Sequence, residues 1–170
     1  MQRIQGPVIF QICVVVNDVL QANANWSKVL GIPPAEVQTI FPSGILHYTH
    51  GKAAEYTDCR VAKYELDAFV LELIQPGSTA SPWKDFLDRH GQGVFHFCVR
   101  VGDRKGFQRT LSEIGVGLPY HVGYSPAGSY SYVESADQLG LELSVNHHGD
   151  YGALLQGLLD GSAFPLDEMK

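Results

Sequence analysis

The sequence predicts an α+β fold made of two tandem βαβββ modules, and two observations lead to this prediction. A strand pattern followed by a helix pattern begins at Val8 and begins again at Val94. When the sequence is aligned with itself at a shift of 85 residues, residues 11–18 match residues 96–103 with four identities. In addition, the Leu-Glu-Leu of 71–73 recurs at 141–143. Two unrelated βα units with similar core requirements are the alternative, but the matched cysteines and aspartates favour a duplication.

Length, composition and charge limit the class of protein. The 170 residues, 45% hydrophobic and 18% charged, suffice for one globular domain. Twelve basic against 18 acidic residues give a net charge of −6, which argues against binding to nucleic acid or an anionic membrane. No apolar run reaches the roughly 20 residues that span a bilayer. The N-terminus is a poor secretory signal, and the three cysteines lack disulfide or zinc spacing. We therefore expect a reduced, soluble, cytoplasmic protein.

The first module, at about 8–76, opens with an apolar, β-branched strand at 8–16. Asn17-Asp18 can cap a helix predicted over 19–30, and Gly31 ends that helix. The remaining elements are expected as strands at 47–50, 60–66 and 68–74. A connecting helix over 81–90 follows, with Ser81 as its cap and Pro82 in its first turn.

The second module, at about 93–146, repeats this order. A strand is expected at 94–101, Asp103 caps the following helix, and Gly115 ends it. Three more strands are predicted at 120–124, 129–134 and 141–145. Because neither half closes a cavity alone, 1–146 are expected to form a single domain, and 147–170 a C-terminal helix and tail.

Side-chain alternation predicts which residues share a face. Gln11 and His96 lie on strand faces turned away from the following helices, as do Glu72 and Glu142, each between two leucines. If the halves pair about a pseudo-two-fold axis, these four side chains converge in one concave cavity. Taken singly, a strand Glu is most often exposed at an edge and a His is most often a hydrogen-bonded core residue. As a set, two carboxylates, an imidazole and an amide oxygen suit a divalent metal such as Zn, Ni, Co or Mn.

Three stretches of sequence carry a resemblance to a known family. They are Leu-Glu-Leu-Ile-Gln-Pro at 71–76, Ser-Pro-Trp-Lys-Asp-Phe-Leu at 81–87 and His-Gly-Gln-Gly-Val-Phe-His-Phe at 90–97. With the duplication, the chain over roughly 9–145 resembles the vicinal oxygen chelate superfamily, which includes glyoxalase I, methylmalonyl-CoA epimerase, extradiol dioxygenases and bleomycin-resistance proteins. It is most similar to the epimerase-like branch. The resemblance implies an open, cup-shaped mixed sheet with the helices on its outside.

The resemblance also implies a set of metal ligands at Gln11, Glu72, His96 and Glu142. Epimerases usually have His at the first of these positions. The set Gln, Glu, His, Glu resembles glyoxalase I of the eukaryotic type, but Val15 stands where that enzyme has a glutathione-contacting arginine. Iron dioxygenases of the superfamily use two His and one Glu. Only His96 is available here, so oxygen chemistry is the weaker option.

The activity that the resemblance implies is abstraction of a proton next to a carbonyl, as in an acyl-CoA thioester, through a metal-stabilised enolate. Glu142 and Glu72 are the candidate catalytic acid/bases. Arg100 is a candidate to bind a substrate carboxylate, or equally a structural partner for a glutamate. His47 and His50 are candidate substrate-binding residues, although polar decoration of a strand explains them more simply.

Two other functions stay open at this point. One is a glyoxalase I-type lyase that acts on a 2-oxo thiol adduct. The other is a non-catalytic small-molecule-binding protein of the bleomycin-resistance kind, whose aromatic cup has no use for two carboxylates and a histidine. We expect a small-molecule substrate and, by resemblance, a homodimer. The substrate, the metal and the pathway do not follow from the sequence.

Overall fold

A computed structural model describes residues 7–40, 45–56, 58–166 and 169. Its strands are β1 Val8–Val15, β2 Val37–Thr39, β3 Leu46–Thr49, β4 Lys52–Ala54, β5 Arg60–Glu65, β6 Val70–Gln75, β7 Gly93–Val101, β8 His121–Ser125, β9 Gly128–Val133 and β10 Glu142–His148. Its helices are α1 Val19–Leu30, α2 Pro82–His90, α3 Arg104–Glu113, α4 Ala136–Leu139 and α5 Gly152–Asp160. The predicted α+β class and the order of the two βαβββ modules are confirmed.

The chain divides into two compact units. The described residues of the N-terminal unit lie within 10–43 and 55–97. Those of the C-terminal unit lie within 1–9, 44–54 and 98–170. None of the helices in the described residues is long and apolar enough to cross a membrane.

The sheet of the N-terminal unit has the strand order β2-β5-β6-β1. β1 runs parallel to β6, and the other pairs are antiparallel. Helix α1 follows β1 in the chain. At its start the Asp18 carboxylate accepts hydrogen bonds from the backbone N–H groups of Leu20 and Gln21. The helix ends at Gly31, whose φ of +68° is a left-handed conformation that glycine adopts without strain.

The core of the N-terminal unit lies between α1 and one face of its sheet. Val19 of α1 is buried with Ala62 and Tyr64 of β5 and with Leu71 and Leu73 of β6. Because neighbouring residues of a strand face opposite sides, this packing turns the residue between the two leucines to the other face, as the sequence predicts.

The sheet of the C-terminal unit has the order β10-β9-β8-β3-β4, and all of these pairs are antiparallel. Its core includes Val122 and Tyr124 of β8, with Tyr151 at the start of α5. The partly buried leucines 154, 155 and 158 of α5 pack against this cluster. The C-terminal helix therefore covers one face of the sheet.

The hairpin β3–β4 is the main departure from the sequence prediction. The sequence assigns 47–50 to a strand of the first module. In the structure β3 pairs with β8 of the second module, with His47 opposite Gly123 and Thr49 opposite His121. The first module thus supplies two strands to the sheet of the C-terminal unit. Local pattern gives the strand but not its pairing partner, which depends on contacts far apart in sequence.

Candidate functional site

Glu72 is the centre of a polar cluster in the N-terminal unit. The Gln11 amide donates from Nε2 to Glu72 Oε2 at 3.0 Å. Lys63 Nζ lies 2.9 Å from the same oxygen. The side chain of Glu72 is 11% exposed, whereas that of Lys63 is 52% exposed. A nearly buried carboxylate is therefore balanced by one half-exposed ammonium and one amide.

The sheet register explains why these three side chains meet. Lys63 of β5 lies directly opposite Glu72 of β6 in the antiparallel pair. Gln11 lies on β1, the other neighbour of β6, and its hydrogen bond puts it on the same face. Lys63 was not among the site residues predicted from the sequence. The signal was available, because Ala62 and Tyr64 are the apolar neighbours that turn Lys63 to the face of Glu72.

His96 of β7 is 1% exposed, and its ring lies 4.7 Å from that of Phe95, centre to centre. Burial lowers the pKa of His96 to about 3. Its imidazole is therefore neutral at neutral pH, which is the form that binds metals and accepts protons.

In the C-terminal unit, Glu142 is held by a tyrosine. The Tyr120 hydroxyl donates to Glu142 Oε2 at 2.7 Å. The Tyr120 ring also stacks on the exposed His50 ring, with 5.7 Å between their centres. Tyr120 therefore contacts two of the predicted site residues, Glu142 and His50. Tyr120 itself was not predicted from the sequence.

The other predicted substrate-binding histidine, His47, belongs to a second polar network of the C-terminal unit. The Tyr130 hydroxyl lies 2.9 Å from His47 Nδ1 and 3.3 Å from His121 Nε2. His121 Nδ1 lies 2.9 Å from Thr49 Oγ1. In their neutral forms each imidazole has one donor and one acceptor, so the four groups can form one hydrogen-bonded chain in either direction. Burial lowers the pKa of His47 to about 4. The expectation of simple polar decoration is wrong for His47, which is 5% exposed.

A glycine makes this network possible. Gly123 of β8 lies between His47 and Tyr130 in the sheet register. A Cβ atom on Gly123 would lie 2.3 Å from Cε1 of Tyr130. The missing side chain therefore lets the Tyr130 ring lie across β8 and reach the histidines of β3 and β8.

A cavity of about 340 Å³ in the C-terminal unit lies beside this network, within the size range of small-molecule sites. Its lining combines the Tyr130 ring with amide, hydroxyl and imidazole groups, among them Ser125, Asn146, His147 and His148. The predicted residue Arg100 lies on β7 and is exposed.

The contacts of Glu72 and Gln11 bear on the predicted metal site. Among the described residues, no three His, Cys, Asp or Glu side chains form a group that could hold a metal ion. Glu72 Oε2 already faces a cation, Lys63, and Gln11 turns its amide N–H group to the carboxylate. An amide nitrogen donates hydrogen bonds and is not a metal ligand. In this arrangement Glu72 and Gln11 do not fit a metal centre, and the divalent metal stays a prediction.

Comparison with solved structures gives the fold. The Mycobacterium tuberculosis methylmalonyl-CoA epimerase matches with a TM-score of 0.56 and 19% identity over 89% of this chain and 93% of that chain. A variant of the Streptomyces coelicolor methylmalonyl-CoA epimerase, in complex with 2-nitronate-propionyl-CoA, matches with a TM-score of 0.57 and 17% identity over 84% and 95%. A mutant of 4-hydroxymandelate synthase from Streptomyces coelicolor matches with a TM-score of 0.57 and 14% identity over 88% and 51%.

Comparison of sequences gives the family. No curated protein matches the chain. Residues 10–133, more than two thirds of the chain, match the model of the Glyoxalase/Bleomycin resistance protein/Dioxygenase superfamily. This match confirms the resemblance found on the sequence. The chain therefore belongs to the glyoxalase/bleomycin resistance protein/dioxygenase superfamily.

Proposed function

We propose that the protein is an enzyme that removes a proton from the carbon next to a carbonyl group of a small-molecule substrate and then returns it. Glu142 is the general acid/base of this reaction. The observation that carries the proposal is the hydrogen bond from the Tyr120 hydroxyl to Glu142 Oε2 at 2.7 Å. It orients a partly buried carboxylate on the sheet face that also carries the polar network of Tyr130.

The Tyr120 contact suits a carboxylate that alternates between two protonation states. A tyrosine hydroxyl donates to a carboxylate and can accept from a carboxylic acid. The partner of Glu142 is therefore retained when the carboxylate takes the α-proton. The electron pair of the broken C–H bond moves onto the carbonyl oxygen and forms an enolate. Return of the proton from Glu142 to the same face of the carbon completes an exchange, whereas an epimerisation also needs a proton from water or a second acid at the opposite face.

The substrate class that we propose is an acyl-CoA thioester or another 2-oxo compound. The fold neighbours support the first of these, because they include methylmalonyl-CoA epimerases, one of them in complex with methylmalonyl-CoA. Epimerisation next to a thioester carbonyl is chemistry of the proposed class. No step of the proposal passes through a metal ion, because the contacts of Glu72 and Gln11 do not fit one.

Exchange of substrate protons with deuterated water tests this function. A panel of acyl-CoA thioesters and 2-oxo acids is incubated with the protein in deuterium oxide, and loss of the α-proton signal is followed by NMR. We expect exchange with wild type and with Glu113→Gln, an exposed control on α3. Glu142→Gln should lower the rate by about a hundredfold or more. Exchange at the wild-type rate in Glu142→Gln would exclude Glu142 as the base.

A second candidate function is non-catalytic binding of a small molecule. The observation that favours it is the 340 Å³ cavity beside Tyr130, whose lining carries no carboxylate or ammonium group. Saturable binding of a panel member by wild type, without any α-proton exchange, would support this function over the enzyme.

Three of the sequence predictions are tested by separate measurements. Sedimentation analysis tests the homodimer, and fractionation of cells tests the cytoplasmic location. Metal analysis of the purified protein tests the bound divalent metal. A stoichiometric, tightly held equivalent of Zn, Ni, Co or Mn would support the metal-dependent form of the reaction.

A further inference from the structure

We infer that Lys63, and not a divalent metal, is the cation that balances Glu72. Lys63 Nζ lies 2.9 Å from Glu72 Oε2, and the amide of Gln11 donates to the same oxygen at 3.0 Å. The cluster of these three side chains carries one negative and one positive charge. It is neutral without any bound ion.

A metal at this oxygen would meet two obstacles. A divalent cation in contact with Oε2 would be close to the Lys63 ammonium, and like charges at such a distance repel strongly when partly shielded from water. The Gln11 amide would also have to turn, because it now presents hydrogen atoms and not its oxygen to the carboxylate. Both obstacles arise from side chains of the chain itself.

The ion pair is fixed by the fold and not only by two flexible side chains. Lys63 and Glu72 are direct partners in the antiparallel register of β5 and β6, so their Cβ atoms point to the same face about 5 Å apart. Any state that keeps this register keeps the ammonium within reach of the carboxylate. The half-exposed position of Lys63 lets its charge stay partly hydrated while it compensates a buried acid.

An incidental surface pair is the alternative explanation, and burial distinguishes the two. A surface pair can lose one partner with little effect, because water solvates the charge that is left. Glu72 is only 8% exposed, so loss of Lys63 would leave a poorly hydrated negative charge with one amide as its partner. The two explanations therefore predict different responses to removal of Lys63.

The first test is a titration with Co²⁺, followed by absorption spectroscopy and calorimetry. The Co²⁺ affinity and the absorption change should agree within about twofold between wild type and Glu72→Gln. This holds whether Co²⁺ binds elsewhere in the protein or does not bind. Tight stoichiometric binding to wild type that Glu72→Gln weakens by more than about tenfold would overturn the inference. No substrate is needed, so failure here is distinct from failure of the Glu142 exchange experiment.

The second test measures thermal stability at pH 7.5 in the presence of a chelator. Lys63→Met should lower the melting temperature by about 4 °C or more, and Lys63→Met with Glu72→Gln should regain most of the loss. Lys63→Arg should behave as wild type, and Lys28→Met, an exposed change on α1, is the control. If Lys63→Met does not fold while the double variant and Lys63→Arg do, the inference is supported. Equal stability of Lys63→Met and Lys28→Met would overturn it.

Discussion

The buried His47 makes stability depend on pH in a direction that the structure fixes. Burial lowers the pKa of His47 to about 4 in the folded protein, whereas an unfolded histidine titrates near 6.5. As the pH falls below 6.5, the unfolded chain takes up a proton that the folded protein does not. The stabilisation due to neutral His47 is therefore complete above pH 6.5 and is lost as the pH falls towards 4.

The size of this effect follows from the two pKa values. A histidine with these values loses about 2 kcal/mol of stabilisation between pH 7 and pH 5. That is a measurable share of the 5–15 kcal/mol typical of a folded protein. Burial lowers the pKa of His96 to about 3, so His96 also makes the protein less stable as the pH falls. The contribution of His47 is therefore measured as the difference in pH dependence between wild type and a His47 variant.

Urea denaturation at pH 7, 6 and 5 measures this difference. In His47→Gln the free energy of unfolding should fall with pH less steeply than in wild type, by about 2 kcal/mol over the range. The control is His148→Gln, since His148 is exposed and its loss should leave the slope unchanged. Only the slope is compared, so a uniform loss of stability in His47→Gln has no bearing. Equal slopes for wild type and His47→Gln would refute the reasoning.

Two further predictions concern single positions. Gly123→Ala should destabilise the protein by about 1–3 kcal/mol, because the new Cβ would lie 2.3 Å from the Tyr130 ring. Gly117→Ala is the control, since its Cβ would meet no atom within 4 Å and should leave the stability unchanged. If the Gly123→Ala, Tyr130→Ala double variant keeps the full destabilisation, the clash with Tyr130 is not its cause. Asp18→Ala should cost about 1 kcal/mol in thermal unfolding, because it removes the acceptor for two N–H groups at the start of α1, and an unchanged melting temperature would contradict that role.

The sequence predicts well those parts of the fold that depend on neighbours in the chain. Asp18 and Gly31 mark the ends of α1 through backbone chemistry within a few residues. The alternation of Leu71, Glu72 and Leu73 identifies the buried face of β6 and the face opposite to it. These features need no knowledge of which strands pair.

The parts that the sequence does not predict depend on pairing between distant segments. The contact between β3 and β8 joins His47 to Gly123, and no local pattern identifies that partner. The same holds for Tyr120, which meets Glu142 only through the tertiary structure. Lys63 is predictable in part. The alternation of side chains along β5 indicates which face of the sheet it lies on, but only the register of β5 and β6 puts it opposite Glu72.

The most direct test of the proposed activity is deuterium incorporation at the substrate α-carbon by Glu142→Gln, measured by mass spectrometry with the protein in excess over a panel thioester that wild type exchanges. We expect one deuterium with wild type and none with Glu142→Gln over the same time. Incorporation by Glu142→Gln at the wild-type rate would contradict the central role of Glu142.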